Sequence, residues 1–185
     1  MGTRGLLGLI IQAQRHAAYN HFDSYPTGLG QEIVNFINGL KPEDYATMEE
    51  NLRQITWLPT NADPPSPELQ EKYSKLGYSN PAVGERTLGD WYCLLHKTQG
   101  AGALPEILKG NLKHQTENIQ FLDDCLFCEW AYFIDFGNRT LEVWRAGQKI
   151  DEITFGKLAQ QDVAYMQRLE DMEESEEEIN QSNGA

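Results

Sequence analysis

The stretch YNHFDSYPTGLG, residues 19–30, keeps neither the two-residue alternation of a strand nor the 3.6-residue stripe of a helix for long. It opens with aromatic and polar residues that suit the end of a strand. It closes with a proline and two glycines that suit a turn into a helix, since proline fixes its own φ and glycine permits close approach of the backbone. We therefore expect a corner here, at which the chain leaves a sheet and enters a helix.

The segments on either side of this corner predict a hairpin and a helix. Residues 3–11, which contain the longest apolar run, LLGLII, are the first strand of the hairpin, and residues 15–22 are the second, with the polar run QAQR between the apolar run and the second strand. After the corner, Thr27 is expected to cap the first helix, whose apolar stripe ends near Gly39.

The middle of the chain carries helix starts. Pro42 suits the first position of a second helix, and Ser66 followed by proline suits the start of a short third helix that continues to Leu76. Another helix is expected to begin near Thr87. The middle is therefore predicted to be mostly helical.

The last third returns to strands. The run CLFCEWAYFIDF, residues 125–136, is apolar on both faces, which predicts a central strand covered on two sides. The short sequence GNR separates it from a second strand, TLEVWRAG, and a last helix is expected at about 157–172. Strands at both ends with helices between them predict an α+β fold, a single globular domain over 1–172 whose terminal strands share one sheet.

The net negative charge of the chain makes some classes of binding partner unfavourable. The chain of 185 residues has 28 acidic and 15 basic residues, a formal charge of −13, which disfavours nucleic acid and anionic membrane surfaces. Acidic residues fill most of 170–178, so we expect 173–185 to be a solvated, disordered tail. The apolar run LLGLII is too short to span a membrane. A cytoplasmic protein without nucleic-acid or membrane partners is the expectation.

The cysteines raise the question of a metal. CLFC and CLLH together have spacings that a zinc site can use. On a strand, however, Cys125 and Cys128 would point to opposite faces, and cysteine is often buried simply as a small hydrophobic residue. We therefore expect no metal and no cofactor.

The corner is the candidate ligand site. Backbone N–H groups at the start of a helix have no partner within the helix, so anions and carbonyl groups can bind there. The polar wall of such a site is expected to consist of Asn20, His21, Asp23, Ser24 and Tyr25. In the alternative, architectural interpretation, Asp23 and Ser24 only cap the helix and His21 is an interior histidine.

Two carboxylates near the second apolar strand are further candidates. Glu129 is flanked by apolar residues, so it is either a pocket carboxylate or an edge-facing side chain. Asp135 precedes Gly137 and is expected to form the turn rather than a site.

The sequence resembles a group of uncharacterised fungal and bacteriophage proteins. MGTRGLLG followed by YNHFDSYPTGLG matches the opening of that group, which repeats the pattern Y-N-H-x-D-S-Y-P-x-G-L-G, and a weaker likeness extends to EWAYFIDFGNRTLEVW. The resemblance implies that the two terminal sheet segments are the shared part of the fold, and it implies no particular reaction.

A short N-terminal strand, a tight turn and a strand that ends in an Asn/Asp corner are similar to the N-terminal nucleophile hydrolases. Their choloylglycine hydrolase branch opens with Met-Cys-Thr-Arg, and the resemblance implies amide-bond hydrolysis in which the exposed first residue is the nucleophile and its α-amine the base. Here Gly2 would follow Met1, so only Thr3, after further processing, has a nucleophile. Tyr19 also stands where the arginine of that branch would be.

These observations leave three functions open. The first is non-catalytic binding of a small molecule or peptide at the corner. The second is amide or peptide-bond hydrolysis by Thr3 after processing. The third is a protein-interaction or scaffold role.

Overall fold

The computed structural model describes the backbone of residues 2–161 and 163–183, with side chains except at 173, 174 and 176–183. These residues form one α+β domain around a mixed five-stranded sheet, which confirms the predicted fold class. The strands are β1 (Gly5–Ile11), β2 (Gln14–Asn20), β3 (Thr56–Leu58), β4 (His114–Thr116), β5 (Trp130–Asp135), β6 (Thr140–Arg145) and β7 (Gln148–Thr154).

The main sheet has the strand order β2-β1-β5-β6-β7, and β3 and β4 form a separate parallel pair. Strand β1 runs parallel to β5, with Gly5 opposite Trp130 and Leu9 opposite Ile134, whereas the other neighbours in the main sheet are antiparallel. The prediction that the terminal strand segments share one sheet is confirmed.

Strands β1 and β2 are joined by a turn of two residues. Gln12 and Ala13 have φ values of 51° and 65°, as a type I′ turn requires at both central positions. The predicted connection QAQR is therefore too long, because Gln14 and Arg15 already belong to β2. A type I′ turn matches the right-handed twist of the two strands, so the pairing continues up to the turn.

Strand β5 is the centre of the domain. All six of its residues are buried, which confirms the predicted central strand. Helices cover one face of the sheet, and a 3₁₀ turn, Ile119–Asp123, packs with Phe133 on the other. The strand begins at Trp130 and not at Cys125, because residues 125–127 form a turn instead of a strand.

Seven α-helices are formed by the described residues. They are α1 (Gln31–Gly39), α2 (Pro42–Leu52), α3 (Pro67–Lys75), α4 (Trp91–Leu94), α5 (Ala103–Leu108), α6 (Phe155–Gln161) and α7 (Val163–Asn183). Pro42 opens α2 as predicted, and the Ser66 hydroxyl accepts a hydrogen bond from the backbone N–H of Leu69, as expected for a cap of α3.

Several predicted elements were wrong in extent. The helix expected from Thr87 is a single turn, α4, capped by Asp90, and is followed by short 3₁₀ turns. The helix expected at 157–172 begins earlier, at Phe155, and the structure describes it as α6 and α7 on either side of residue 162. Strand β7 was missed because it lies at the edge of the sheet and has only one buried residue, so no apolar alternation marks it.

The backbone of residues 173–183 is part of α7. The division into a domain over 1–172 and a solvated tail over 173–185 stays a prediction, because most side chains of that stretch and residues 184 and 185 lie outside the described residues. No helix in the described part of the chain is long and apolar enough to cross a membrane.

Candidate functional site

The corner at residues 19–30 uses its buried polar groups on itself. The Asn20 side chain, 9% exposed, donates hydrogen bonds to the carbonyl of Phe22 (2.5 Å) and to the hydroxyl of Ser24 (2.9 Å). Ser24 is fully buried, and its backbone carbonyl accepts a hydrogen bond from the Tyr132 hydroxyl at 3.0 Å. Asn20 and Ser24 are therefore tied into the interior of the corner.

The helix start does not offer the free N–H groups that the sequence predicts. A turn over Pro26–Gly30, kinked at Gly28, leads into α1, and within it the N–H groups of Gly28, Leu29 and Gly30 are donated to backbone carbonyls. Thr27 does not cap the helix through its side chain, and its N–H is donated to the Glu170 carboxylate of α7 at 2.9 Å. A carboxylate of the protein thus occupies the place that an anion would take.

The other predicted site residues lie at the edge of the corner. His21 shares a hydrogen bond of 2.7 Å with the Tyr19 hydroxyl through Nδ1. Asp23 is exposed and has a φ of 53°, and Tyr25 is half-buried against the core. None of the five predicted residues lines the two large clefts described next, although Tyr19 does.

The first of these, the aromatic cleft, has a volume of about 490 Å³. Its lining comes from strands β2 and β4, the loop segments 59–64 and 85–90, and the start of α4. Its aromatic lining is Tyr19, Trp91 and Tyr92, and its polar lining is Thr60, Glu85, Asp90, Gln99, Thr116, Glu117 and Asn118. The volume lies within the range of ligand pockets, about 300–1,000 Å³.

Hydrogen bonds and stacking hold the aromatic walls of this cleft. The Trp91 ring stacks on His114 at 5.3 Å and donates its Nε1–H to the carbonyl of Asp63 at 2.8 Å. Asp90 accepts the N–H groups of Tyr92 and Glu85 at 2.9 and 3.0 Å. The walls are thus ordered before any ligand binds, which lowers the entropic cost of binding.

The charged side chains that line the aromatic cleft are all acidic among the described residues. Glu85, Asp90 and Glu117 line it, and no lysine or arginine does so among the described residues. Burial raises the pKa of Tyr19, an effect opposed by the nearby Arg4 and reinforced by Tyr92. The cleft therefore presents neutral aromatic rings beside carboxylates.

The second cleft, the histidine cleft, has a volume of about 440 Å³ and shares Pro59, Thr60 and Glu117 with the first. His16, Trp57, Asn61 and Gln120 complete its lining. The sequence did not reveal this cluster, because His16 and Glu117 are separated by 101 residues and neither lies in a recognisable motif.

The remaining candidates have structural partners. Asp135 forms the turn after β5, as predicted, because it accepts hydrogen bonds of 2.8 Å from both the backbone and the side-chain nitrogen of Asn138. Glu129 is exposed, accepts the N–H of Arg4 at 3.4 Å and lines neither cleft. The carbonyl of Thr3 accepts the N–H of Ser24 at 3.1 Å, which ties the N-terminal segment to the corner.

The predicted strand geometry of Cys125 and Cys128 was wrong. Cys125 and Cys128 lie around a turn, the first exposed and the second buried, and not on opposite faces of a strand. Burial raises the pKa of the Cys128 thiol to about 12, which opposes the thiolate that a metal requires. Among the described residues, no group of three or more histidine, cysteine or carboxylate side chains is placed to hold a metal ion.

No protein-family model matches the sequence, and no similarity to a curated protein or to a solved structure was found. The resemblances to the fungal and bacteriophage group and to the N-terminal nucleophile hydrolases therefore stay predictions, as do the roles of Thr3 and of the corner residues.

Proposed function

We propose that the protein binds a small molecule or peptide that carries a positive charge, and that the aromatic cleft is the site. The observation that carries this proposal is the meeting of three aromatic side chains and three carboxylates in one cleft without a basic residue among the described lining. The proposed class of function is still ligand binding, but the proposed site is the aromatic cleft and not the corner.

Two attractions favour a cation in this cleft. An ammonium or guanidinium group over an aromatic face gains about 0.5–2 kcal/mol, more when water is excluded. The carboxylate of Glu85 lies in the same cleft, and its side chain makes no hydrogen bond or ion pair with another described residue. Glu85 is therefore available to a ligand, whereas Asp90 and Glu117 already hold protein groups.

The corner supports this cleft indirectly. Tyr19 lines the cleft, and its hydroxyl is held by His21. The hydrogen bond limits rotation of the ring, so the sequence YNHFDSYPTGLG supplies one wall of the site and the residue that orients that wall.

A matched set of probes tests the proposal. N-acetyl-lysine methylamide, its norleucine analogue and its glutamate analogue differ in charge, and binding is followed through the indole N–H signal of Trp91 in NMR titrations. We expect the lysine probe to bind at least about tenfold more tightly than the norleucine probe, which corresponds to about 1.4 kcal/mol.

Glu85→Gln separates charge from shape, with Glu43→Gln, another exposed glutamate but outside both clefts, as the control. The first variant is expected to lose most of the preference for lysine, and the second is expected to keep it. Equal affinities for the lysine and norleucine probes in the parent protein would contradict the proposal.

A further inference from the structure

The histidine cleft contains a carboxylate that is fixed in position. One carboxylate oxygen of Glu117 accepts hydrogen bonds from the backbone N–H groups of Ala17 at 3.0 Å and Ile119 at 3.3 Å. The backbone N–H of Glu117 is donated to the carbonyl of Leu58 at 2.7 Å. The other oxygen lies 2.5 Å from Nδ1 of His16. The carboxylate therefore cannot rotate away from the imidazole without breaking bonds to the backbone.

The imidazole of His16 is fixed as well. Its ring stacks on Trp57, with centroids 4.8 Å apart and planes inclined by 12°, which determines the plane of the ring. The carboxylate can only accept a hydrogen bond, so the neutral ring carries its hydrogen on Nδ1 and a lone pair on Nε2. Nε2 has no hydrogen-bond partner among the described residues.

Polar groups without partners surround this base. Thr60, Asn61 and Gln120 line the same cleft, all three are exposed, and their side chains make no hydrogen bonds to other described residues. The two carboxamides are neutral hydrogen-bond donors, which can stabilise an oxygen on which negative charge develops. A base, the residue that orients it and uncommitted donors thus meet in one cleft.

We propose that this cleft hydrolyses uncharged carboxylic esters, with His16 as the catalytic base and Glu117 as the residue that positions it. This activity goes beyond cation binding and uses the other cleft. Water forms its bond to the carbonyl carbon as one water proton moves to Nε2 of His16, and the carbonyl electron pair moves onto oxygen. When the C–O bond to the alcohol breaks, Nε2 returns the proton to the leaving oxygen, so the products are an acid and an alcohol.

The lining determines the class of substrate. Apart from the imidazole, Glu117 is the only ionisable side chain among the described lining residues, so an anionic ester would be repelled. Trp57 and Pro59 offer apolar contact for a short acyl chain. A small neutral ester is therefore the probe of choice, and p-nitrophenyl acetate reports hydrolysis by the colour of its leaving group.

The experiment compares the parent protein with an equal concentration of free imidazole and with single variants. We expect the parent to exceed imidazole by at least about tenfold and His16→Gln to lose about a hundredfold in rate. His96→Gln, at another half-buried histidine outside both clefts, is the matched control and is expected to keep the parental rate.

Glu117→Gln tests positioning. Its kcat is expected to fall about tenfold with KM nearly unchanged, and the side-chain nitrogen signals of His16 are expected to show a smaller fraction of the Nδ1–H tautomer. A merely structural role would leave that tautomer fraction unchanged.

A last variant avoids the risk that a histidine variant does not fold. Asn61→Leu with Gln120→Leu changes two exposed positions and removes the free donors, so kcat is expected to fall while the thermal midpoint stays near the parental value. A parental rate no higher than that of imidazole, or full activity in His16→Gln, would overturn the proposal.

Discussion

The corner at residues 19–30 and the histidine cleft are both rich in polar side chains, but they use them differently. In the corner, the side chains of Asn20 and Ser24, four residues apart in the sequence, satisfy one another, and both are buried. In the cleft, His16 and Glu117 come from distant parts of the chain, and Nε2 of the imidazole has no hydrogen-bond partner in the part of the chain that the structure describes. A dense polar motif can therefore be architecture, while a site is assembled from residues that no motif connects.

The largest expected loss of stability comes from a substitution at Gly5, which packs against the corner. A methyl group at Gly5 would overlap the carbonyl of Trp130 on the paired strand and the side chain of Ser24. Neither can move without disturbing the sheet, so Gly5→Ala is expected to cost more than about 3 kcal/mol in free energy of unfolding, measured by urea titration.

Gly39→Ala is the control for that substitution, because nothing lies within 4 Å of a methyl group there. It stands at the end of α1 and is expected to be neutral or slightly stabilising. If both alanine variants unfold at the same urea concentration, close packing of the corner is not what β1 depends on.

The next prediction compares the stability cost of removing a hydrogen-bonding side chain from the corner with the cost of removing one from the histidine cleft. Asn20→Ala removes the donor to the Ser24 hydroxyl and to the Phe22 carbonyl, and is expected to cost about 2 kcal/mol because these groups have little access to water. His16→Gln in the cleft is expected to cost less than Asn20→Ala, because the Glu117 carboxylate keeps its hydrogen bonds to the backbone N–H groups of Ala17 and Ile119 when the imidazole is removed. The reverse order of these two costs would contradict the distinction drawn between corner and cleft.

The smallest effect concerns Asp23, whose φ of 53° lies in the left-handed region. Asparagine tolerates this region about as well as aspartate, so Asp23→Asn is expected to leave stability almost unchanged. Asp23→Ala is expected to cost about 0.5–1 kcal/mol through the backbone alone, and Asp23→Gly should recover it. A loss in Asp23→Gly equal to that in Asp23→Ala would show that the carboxylate itself contributes to stability, as the architectural interpretation of Asp23 requires.

Local signals in the sequence predicted much of the fold. Pro42 and Ser66 mark helix starts because their effects act within one turn, and the apolar run of β5 marks a strand buried on both faces. Strands β3 and β4 escaped prediction because three residues are too few to show alternation, and their pairing joins Thr56 to His114.

The site was less predictable for the same reason. Tyr19 and His21 stand in the motif that the sequence singled out, and they reach the edge of the aromatic cleft. The N–H groups of residues 28–30 are donated to nearby backbone carbonyls, and the N–H of Thr27 is donated to Glu170, far along the chain. Local sequence composition cannot predict a contact between residues that are 143 positions apart.

The parallel pairing of β1 with β5 has a consequence for synthesis. Gly5 pairs opposite Trp130, so the hairpin formed by the first residues keeps one open strand edge until the chain has grown past β5. At ribosomal rates of about 5–20 residues per second, that interval is on the order of ten seconds. During it, an apolar strand with unpaired backbone groups can pair with other nascent chains. Yield of the folded protein should therefore depend on how quickly the segment between β2 and β5 is translated, and slow codons there should favour aggregation.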